Sequence, residues 1–410
     1  MEFDLKSLDR DWVDGISGQE LLARVLNRAK SIQGQDQLIV INRTNPHDFI
    51  VDFFAAILVG RSVALANPKW GAREREQFDA LIGPGIVPSD SVSSRTNYSN
   101  AFCQNKVILV PTGGTTNGIK LAIHTWKTLE AACEGVKQFL GGAAIDSCCV
   151  LPLYHISGFI QLLRAYHSGG YIRFDEEEVE GYCLSYVPTQ LHRALFDKKC
   201  IQALSTTRVI LVGGAPIPES LAQDARKLNL PVMPVYGMTE TAAMVAAIPV
   251  ADFLTDSRAG AIPIGDAKMD IDSFDRIRIQ SPALFKGYYG REALDLTRGY
   301  LSGDEGYIDE NERIHVTGRI DRLVVSGGEK IDPYEVQDVV GAIAGIEEVL
   351  AVGLPDVEWG QKLVVYYTGH ELVDWKERLK EQLVSYKLPK EMHRVEHLPL
   401  DEKGKFLRPS

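Results

Sequence analysis

The stretch that most constrains this chain is Val107 to Lys120, which reads V-I-L-V-P-T-G-G-T-T-N-G-I-K. Its first four residues are apolar and mostly β-branched, a pattern that predicts a short buried strand. We expect Pro111 to end that strand, because proline has no N–H to donate to a ladder. Three glycines, three threonines and one lysine then follow within nine residues.

The residues after Pro111 have the chemistry of a phosphate-binding loop. Glycines permit unusual backbone shapes, so that backbone N–H groups, hydroxyls and an ammonium can converge on a polyphosphate. Gly113 and Gly118 have the spacing of the Walker pattern G-x-x-x-x-G-K-[ST], but Ile119 stands where its lysine would be. The stretch therefore predicts a phosphate loop of another kind, with a polar strand-to-helix connection as the alternative.

Composition sets the broad class of the protein. The chain has 410 residues, of which 45% are hydrophobic and 24% charged, and this predicts a globular protein of two or three domains. Its formal net charge of −11 argues against generic nucleic-acid binding. An anionic substrate would therefore need a local basic pocket.

The cysteines and the apolar segments predict a cytoplasmic location. None of the six cysteines forms a C-x-x-C pair, so we interpret them as reduced, mostly buried thiols rather than as catalytic nucleophiles. The N-terminus lacks the apolar core of a signal peptide. The longest apolar region, 49–66, is interrupted by Asp52 and Arg61, so it predicts a buried helix from Pro46 to Val59 rather than a membrane span.

Helices and strands alternate along the first part of the chain, which predicts an α/β fold with layered, mostly parallel sheets and helices on their faces. Further strands, at Arg208 to Val212 and Val232 to Val235, end in the Gly- or Thr-rich segments Gly213 to Pro216 and Tyr236 to Glu240. Ligands of such sheets bind at the carboxyl ends of the strands. From about Gly265 we expect a small β-rich subdomain, and the last ninety or so residues predict a small α+β domain.

Five motifs, in order along the chain, resemble those of the adenylate-forming enzymes, which include acyl-CoA synthetases, amino-acid adenylation domains and luciferases. The family patterns T-S-G-T-T-G-x-P-K, Y-G-x-T-E, [ST]-G-D, G-R-x-[DK] and G-K-x-x-R correspond to Thr112–Lys120, Tyr236–Glu240, Ser302–Asp304, Gly318–Asp321 and Gly404–Arg408. The resemblance covers about residues 35–408. It implies a large N-terminal domain, 1–318, a hinge, 319–321, and a mobile C-terminal domain, 322–410.

The resemblance also implies a two-step reaction. A carboxylate attacks the α-phosphate of ATP to give an acyl-adenylate and pyrophosphate, and the thiol of coenzyme A then displaces AMP. The implied nucleotide site comprises Thr112, Gly113, Gly114, Thr115, Thr116 and Lys120 at the β- and γ-phosphates, Gly213, Gly214, Ala215, Pro216, Tyr236 and Gly237 near the adenine, and Asp304 and Arg319 at the ribose.

The family's catalytic roles fall on a few further residues. Glu240 would hold Mg²⁺ and Thr239 would contact the α-phosphate, while Lys405 would bridge the reacting oxygens. Asp321 would be the hinge about which the C-terminal domain turns, and a second pose would bring Gly328 to the site.

From the residues alone, purely structural roles remain possible for each of them. Glu240 could start a helix, Asp304 could lie in a turn, and Lys405 could be a solvated lysine. Arg319 and Asp321 could form a surface ion pair.

The phosphate loop departs from the family pattern at three positions. Gly113 replaces a serine, Asn117 a glycine and Ile119 a proline. Backbone N–H groups can still supply most of the donors, so we expect an active enzyme with an altered loop.

Three segments, 152–158, 185–191 and 326–331, are similar to those of o-succinylbenzoate–CoA ligases from menaquinone and phylloquinone biosynthesis. That substrate is an aromatic keto-dicarboxylic acid, so its second carboxylate needs a partner. Arg164 is our candidate, with Thr189 as a further donor and His155 ordering the acyl pocket. The alternatives are Arg164 as a helix-surface charge, another aryl- or acyl-CoA ligase with an apolar pocket, and a non-catalytic nucleotide-binding protein.

Overall fold

The predicted buried strand is the third strand of a four-stranded sheet in the computed structural model. The sheet has the order β1-β2-β3-β4, in which β1 to β3 are parallel and β4 returns antiparallel to β3. These strands and the first helices are β1 (Leu38–Ile41), β2 (Ser62–Leu65), β3 (Val107–Gly114), β4 (Gly118–Thr125), α1 (Gly18–Ile32), α2 (Pro46–Leu58) and α3 (Ala72–Ile82). The structure describes residues 4–34, 38–83, 106–114, 118–176, 178–319, 324–326, 329–356, 359–383 and 385–400.

The predicted end of β3 at Pro111 is wrong. The strand continues to Gly114, and Pro111 lies opposite Leu121 of β4. Because β2 pairs only with Ile108 and Leu109, the rest of β3 has a sheet partner on one side, where a proline is tolerated. Residues 112–114 and 118–120 of the predicted phosphate loop therefore lie on the two paired strands of a β-hairpin rather than in a strand-to-helix connection.

A second sheet of seven strands carries the other predicted loops. Its order is β11-β10-β9-β8-β7-β5-β6, with parallel pairing from β9 to β6 and antiparallel pairing of β10 and β11. Its strands are β5 (Ser147–Cys148), β6 (Ile172–Arg173), β7 (Cys183–Tyr186), β8 (Val209–Val212), β9 (Val232–Met238), β10 (Ala243–Ala247) and β11 (Ile262–Pro263). Its helices are α4 (Trp126–Phe139), α5 (Ile156–Ser168), α6 (Pro188–Ala194), α7 (Lys198–Ser205), α8 (Glu219–Lys227) and α9 (Val250–Thr255).

The core between α2 and α5 explains why the longest apolar region is a buried helix. Phe53 of α2 packs edge-to-face on Phe159 of α5, with ring centroids 4.9 Å apart. Asp52 is the charged residue in the middle of α2, and its two oxygens each accept a 2.6 Å bond, one from Arg28 and one from Arg43. The buried charge is thus paired, and no helix in the described part of the chain is long and apolar enough to cross a membrane.

The predicted β-rich subdomain is confirmed. It is a four-stranded antiparallel sheet in sequence order, formed by β12 (Lys268–Ile271), β13 (Arg276–Gln280), β14 (Tyr300–Ile308) and β15 (Ile314–Arg319). Its last strand ends at Arg319, next to the predicted hinge. Asp321 itself lies outside the described residues.

The predicted α+β unit follows. It contains β16 (Val324–Ser326), β17 (Glu329–Ile331), α10 (Pro333–Gly341), β18 (Ile346–Asp356), β19 (Gly360–Gly369), α11 (Trp375–Lys380) and β20 (Glu391–Arg394). Among its contacts with the larger part of the protein, His192 Nδ1 lies 4.0 Å from Glu348 Oε1, and α10 packs against α8.

Candidate active site

The candidate site is built from the carboxyl ends of neighbouring parallel strands. The chain leaves β5 toward His155, β7 toward Thr189, β8 toward Gly213 and β9 toward Glu240. These four strands are adjacent in the seven-stranded sheet, so the segments that follow them meet at one edge. This is the edge at which the sequence predicts a ligand site.

The segment from Tyr236 to Glu240 is mostly strand rather than the predicted loop. Strand β9 runs to Met238, and one 3-10 turn, Thr239–Thr241, follows. Ala242 and Ala243 then have φ values of +54° and +77°, a conformation that costs a non-glycine residue about 1–3 kcal/mol. The Thr241 hydroxyl lies 2.7 Å from the Ala243 carbonyl and 3.0 Å from the Met238 backbone N–H, so its bonds brace the strained turn.

Glu240 is a buried carboxylate held by a tyrosine. Glu240 is only 7% exposed, and Tyr288 Oη donates to Glu240 Oε1 over 2.6 Å. The Tyr288 hydroxyl is also 3.2 Å from that of Tyr300. Burial first, and then the charge of Glu240, raise the pKa of Tyr288, so Tyr288 stays protonated and donates. The alternative, that Glu240 only starts a helix, does not account for its hydrogen bond with Tyr288.

The β3–β4 hairpin meets the Glu240 turn through two residues of β4. The ammonium of Lys120 lies 5.3 Å from the ring centroid of Tyr288, within the range of a cation–π contact. His124 Nε2 lies 2.7 Å from the carbonyl oxygen of Thr239. Burial lowers the pKa of His124 to about 4, with the bond to Thr239 opposing the shift and the charge of Lys286 adding to it. The imidazole is therefore neutral at pH 7.

Asp304 is the second buried carboxylate of the site. Tyr236 Oη donates to its Oδ2 over 2.7 Å, and Arg319 Nη1 lies 3.0 Å from its Oδ1. Burial and the charge of Asp304 raise the pKa of Tyr236. Asp304 is only 5% exposed and lies within β14, so the turn reading is wrong. The cation beside it comes from Arg319, whose other predicted partner, Asp321, lies outside the described residues.

At two of the glycines predicted to lie in the site, neighbouring atoms leave no room for a Cβ. A Cβ at Gly237 would collide with the carbonyl of Ala243, and one at Gly213 would come within 2.5 Å of Val235 Cγ2. Gly214, Ala215 and Pro216 follow β8 as an exposed segment. Gly213 thus lies against Val235, the residue before Tyr236.

The base of the phosphate hairpin is described, but its tip is not. Thr112 lies opposite Lys120, Gly113 opposite Ile119, and Gly114 opposite Gly118. Ile119, which occupies the family's proline position, is buried in a cluster with Leu109 and Phe78. The predicted residues outside the described part of the chain are Thr115, Thr116, Asp321, Gly328 and Lys405.

Arg164 is not a surface charge. It is 4% exposed on α5, and burial lowers its pKa while Cys133, Cys183 and Cys149 oppose that shift. A guanidinium stays charged in proteins, and within the described residues its Nε has no hydrogen-bond partner. His155 stands at the N-cap of the same helix, and Thr189 lies in the first turn of α6.

The described cysteines are free thiols, four of them buried, as predicted. Burial raises the pKa of Cys133, Cys148 and Cys149 to about 12, so they are poor nucleophiles at neutral pH.

The donors around Glu240 fit a magnesium ion that is bound together with a nucleotide. In the described part of the chain, no three or more His, Cys, Asp or Glu side chains cluster as a metal site. Magnesium is commonly held by one or two carboxylates plus substrate phosphates. The Glu240 carboxylate, beside the predicted phosphate hairpin, meets that requirement.

Sequence reasoning missed Tyr288, Tyr300 and His124. Tyr288 lies in the segment G-Y-Y-G, whose glycines indicate turns but whose tyrosines have no pattern that indicates a role. His124 was missed because β4 was not predicted. A strand pattern over residues 118–125 would have placed Lys120, Ala122 and His124 on one face.

Comparison with known proteins identifies the family of this chain. Residues 99–289 match the AMP-binding enzyme family, and residues 335–405 match the AMP-binding enzyme C-terminal domain. The 2-succinylbenzoate–CoA ligase of Lactococcus lactis subsp. lactis (strain IL1403) is 30% identical, over 95% of this chain and 93% of that protein. The protein of the same name from Oceanobacillus iheyensis is 28% identical, over 99% and 95% of the two chains.

Solved structures share the fold. The o-succinylbenzoate CoA synthetase of Bacillus subtilis in complex with the acyl-adenylate OSB-AMP superposes with a TM-score of 0.80 at 24% identity, covering 97% of this chain and 93% of that one. The same enzyme in complex with ATP and a magnesium ion gives a TM-score of 0.79, covering 97% and 94%. This chain therefore belongs to the AMP-binding enzyme family, as an AMP-forming CoA ligase related to the 2-succinylbenzoate–CoA ligases.

Proposed function

We propose that this protein joins o-succinylbenzoate to coenzyme A in two steps at the site described above. The observation that carries the nucleotide half of the proposal is the meeting of the phosphate hairpin with the Thr239–Glu240 turn. Lys120 and His124 of one strand contact, respectively, the tyrosine that holds Glu240 and the carbonyl of Thr239.

In the first step, a carboxylate oxygen of the acid attacks the α-phosphorus, and the bond to pyrophosphate breaks. The hairpin residues Thr112, Gly113, Gly114, Thr115, Thr116 and Lys120 would bind the β- and γ-phosphates, and Thr239 would donate to the α-phosphate. Glu240 would hold Mg²⁺, which neutralises the phosphate charge when it is bound. Asp304 would accept from the ribose hydroxyls beside Arg319, and Gly213 to Pro216, Tyr236 and Gly237 would frame the base.

In the second step, the thiol of coenzyme A attacks the acyl carbonyl and the bond to AMP breaks. We propose that a C-terminal domain, 322–410, turns about 319–321 between the steps, with Asp321 as the hinge. Lys405 would serve the first step and the Gly328 region the second. The buried, reduced cysteines are in keeping with the cytoplasmic location that we infer.

We assign the acid specificity to residues of α5 and of the start of α6. Arg164 would bind the carboxylate that is not activated, because a planar guanidinium matches a carboxylate through paired bonds. Its burial, with no hydrogen-bond partner at Nε among the residues that the structure describes, supports this role. His155 and Thr189, at the starts of α5 and α6, would complete the pocket.

The test of the function is a panel of acids supplied with ATP, Mg²⁺ and coenzyme A, with pyrophosphate release as the measurement. We expect turnover on o-succinylbenzoate and little on benzoate or fatty acids. Turnover on benzoate with none on o-succinylbenzoate would assign the chain to another acid. Nucleotide binding without pyrophosphate release on any acid would favour a non-catalytic protein.

Lys405→Ala tests the division of labour between the half-reactions. Adenylate formation should fall by about a hundredfold to a thousandfold, the usual cost of losing a donor to developing charge. Thioester formation from preformed acyl-adenylate should largely survive. Equal loss of both half-reactions would contradict the proposed movement of the C-terminal domain.

Arg164→Met tests the acid pocket. Losing a charge-assisted bond should lower kcat/KM for o-succinylbenzoate by about tenfold to a hundredfold, while residual turnover of a monocarboxylic aryl acid should not fall. Arg24→Met is the matched control, because Arg24 forms a surface ion pair with Asp48, 2.8 Å away. An equal loss on both acids would remove Arg164 from the specificity role.

A further inference from the structure

His124 is a buried polar residue on the strand that returns from the phosphate hairpin. It is 0% exposed and shares one face of β4 with Ala122 and Lys120, because side chains of a strand alternate. Lys120, at the other end of this face, lies over the ring of Tyr288. One strand face thus contacts the Thr239–Glu240 turn through His124 and, through Lys120, the tyrosine that holds Glu240.

The hydrogen bonds of His124 define its tautomer. A carbonyl oxygen only accepts, so the 2.7 Å bond to Thr239 requires a proton on Nε2. Nδ1 is then the acceptor, and it lies 3.1 Å from the hydroxyl of Thr128. That hydroxyl also lies 3.0 Å from the backbone N–H of Thr125, which fixes Thr128 at the start of α4. Both ring nitrogens therefore have partners on the protein.

The bond acts on the backbone that carries the two predicted ligand-binding side chains. The carbonyl of Thr239 and the N–H of Glu240 belong to one planar peptide unit. The same carbonyl accepts a 3.1 Å bond from the N–H of Ala242, the first residue of the strained pair. A donor from β4 thus holds this peptide plane from outside the turn.

We propose that His124 is a positioning residue that sets the orientation of the Thr239–Glu240 peptide, and so aims the Glu240 carboxylate and the Thr239 hydroxyl at a nucleotide phosphate and its divalent cation. This inference rests on the proposed function for the identity of the ligand. It adds that the phosphate hairpin and the carboxylate turn act as one rigid unit, joined by the His124 bond.

The test compares replacements that differ in one property. His124→Gln can place an amide N–H near the position of Nε2, His124→Asn keeps the amide but falls short of Thr239, and His124→Phe keeps the ring without the donor. The Phe and Asn variants should lose about tenfold to a hundredfold in kcat for pyrophosphate release, with a smaller change in KM for the acid. The Gln variant should stay within about fivefold of the native enzyme.

A binding measurement separates this role from activity and from folding. A fluorescent ATP analogue, titrated without acid, should bind more tightly with Mg²⁺ than without it, and this Mg²⁺ enhancement should be lost in the Phe and Asn variants and kept in the Gln variant. His167→Phe is the control, because His167 is a partly buried histidine of α5, the helix that carries Arg164, and its ring centroid lies 5.0 Å from that of Trp126. Its Mg²⁺ enhancement should equal that of the native protein.

The results that would overturn the inference are specific. Equal losses of kcat in the Asn and Gln variants would show that a hydrogen bond to the Thr239 carbonyl is not needed. Losses that follow only the drop in melting temperature, or an equal loss in thioester formation from preformed acyl-adenylate, would make His124 a packing residue. If native protein releases no pyrophosphate with any acid, the proposed function fails, whereas the nucleotide titration still tests His124.

Discussion

Asp304 and Glu240 are both buried carboxylates that accept a bond from a tyrosine, but they differ in charge balance. Tyr236 donates to Asp304 over 2.7 Å, and Tyr288 donates to Glu240 over 2.6 Å. Arg319 also lies 3.0 Å from Asp304. Within the part of the chain that the structure describes, Glu240 has no ion pair.

We propose that this difference separates two roles within one site. Keeping a carboxylate charged in a buried place is costly without a cation. The fold supplies that cation at Asp304, which is then suited to accept from neutral hydroxyls such as those of a ribose. At Glu240 the charge remains available for a cation that arrives with the nucleotide.

The largest effect is expected from Glu240→Gln. Glutamine keeps an oxygen for Tyr288 but removes the charge, so the fold should persist while adenylate formation falls on the order of a thousandfold, since several kcal/mol of charge stabilisation depend on the metal. Pyrophosphate release across a range of Mg²⁺ concentrations measures it. Asp304→Asn is the matched variant, and it should raise KM for ATP without changing the Mg²⁺ requirement.

Arg319→Met tests whether Asp304 needs its cation. Breaking one side of a buried pair leaves an uncompensated charge, and because Arg319 is partly exposed we expect a loss of about 2–3 kcal/mol in the free energy of unfolding. Urea denaturation measures it. The double variant with Asp304→Asn should recover most of that loss, and a double variant no more stable than Arg319→Met would contradict the charge argument.

A smaller effect is expected from removing each tyrosine hydroxyl. Each lost hydroxyl should weaken ligand binding by about 1 kcal/mol. Tyr288→Phe and Tyr236→Phe should therefore each change the constant named below roughly fivefold. Tyr288→Phe should raise the Mg²⁺ concentration for half-maximal activity, whereas Tyr236→Phe should raise KM for ATP. The same shift in both variants would mean that the two carboxylates are not functionally distinct.

The smallest effect extends the comparison to a third carboxylate. Burial first, then the charges of Asp332 and Glu219, raise the pKa of Asp338 to about 6. Because its folded pKa lies above its unfolded value, stability falls as pH rises from about 4 to about 6. Asp338→Asn should therefore raise the melting temperature at pH 8 by about 2 °C, and the gain should vanish at pH 4. Calorimetry at the two pH values measures the melting temperature. A higher melting temperature at pH 4 alone would contradict the predicted direction.

The sequence predicted residues whose chemistry can be recognised locally. Glu240 and Asp304 stand in short motifs, and Gly213 and Gly237 occupy positions where a side chain would meet neighbouring atoms. The prediction failed at Pro111, where proline chemistry suggested a strand end. A single residue cannot show that the neighbouring strand stops short and leaves one side of β3 without a partner.

The residues that orient the site were out of reach of local reasoning. Tyr288 lies 48 positions from Glu240, and His124 lies 115 positions from Thr239. Neither has a pattern of its own, because a tyrosine after a glycine and a histidine in an apolar strand are ordinary. Their roles come from the bonds they make.

By itself, the sequence determined the family, the α/β class with its small β-rich subdomain and α+β unit, and residue types suited to a nucleotide, because strand periodicity, glycine positions and charged motifs are properties of short segments. Only the tertiary structure decided that a β-hairpin carries the described residues of the phosphate loop, that Arg319 neutralises Asp304 but nothing in the described chain neutralises Glu240, and that Arg164 is buried. These depend on which distant segments pack together, since the energy of a buried charge is set by its neighbours in space rather than by its neighbours in sequence.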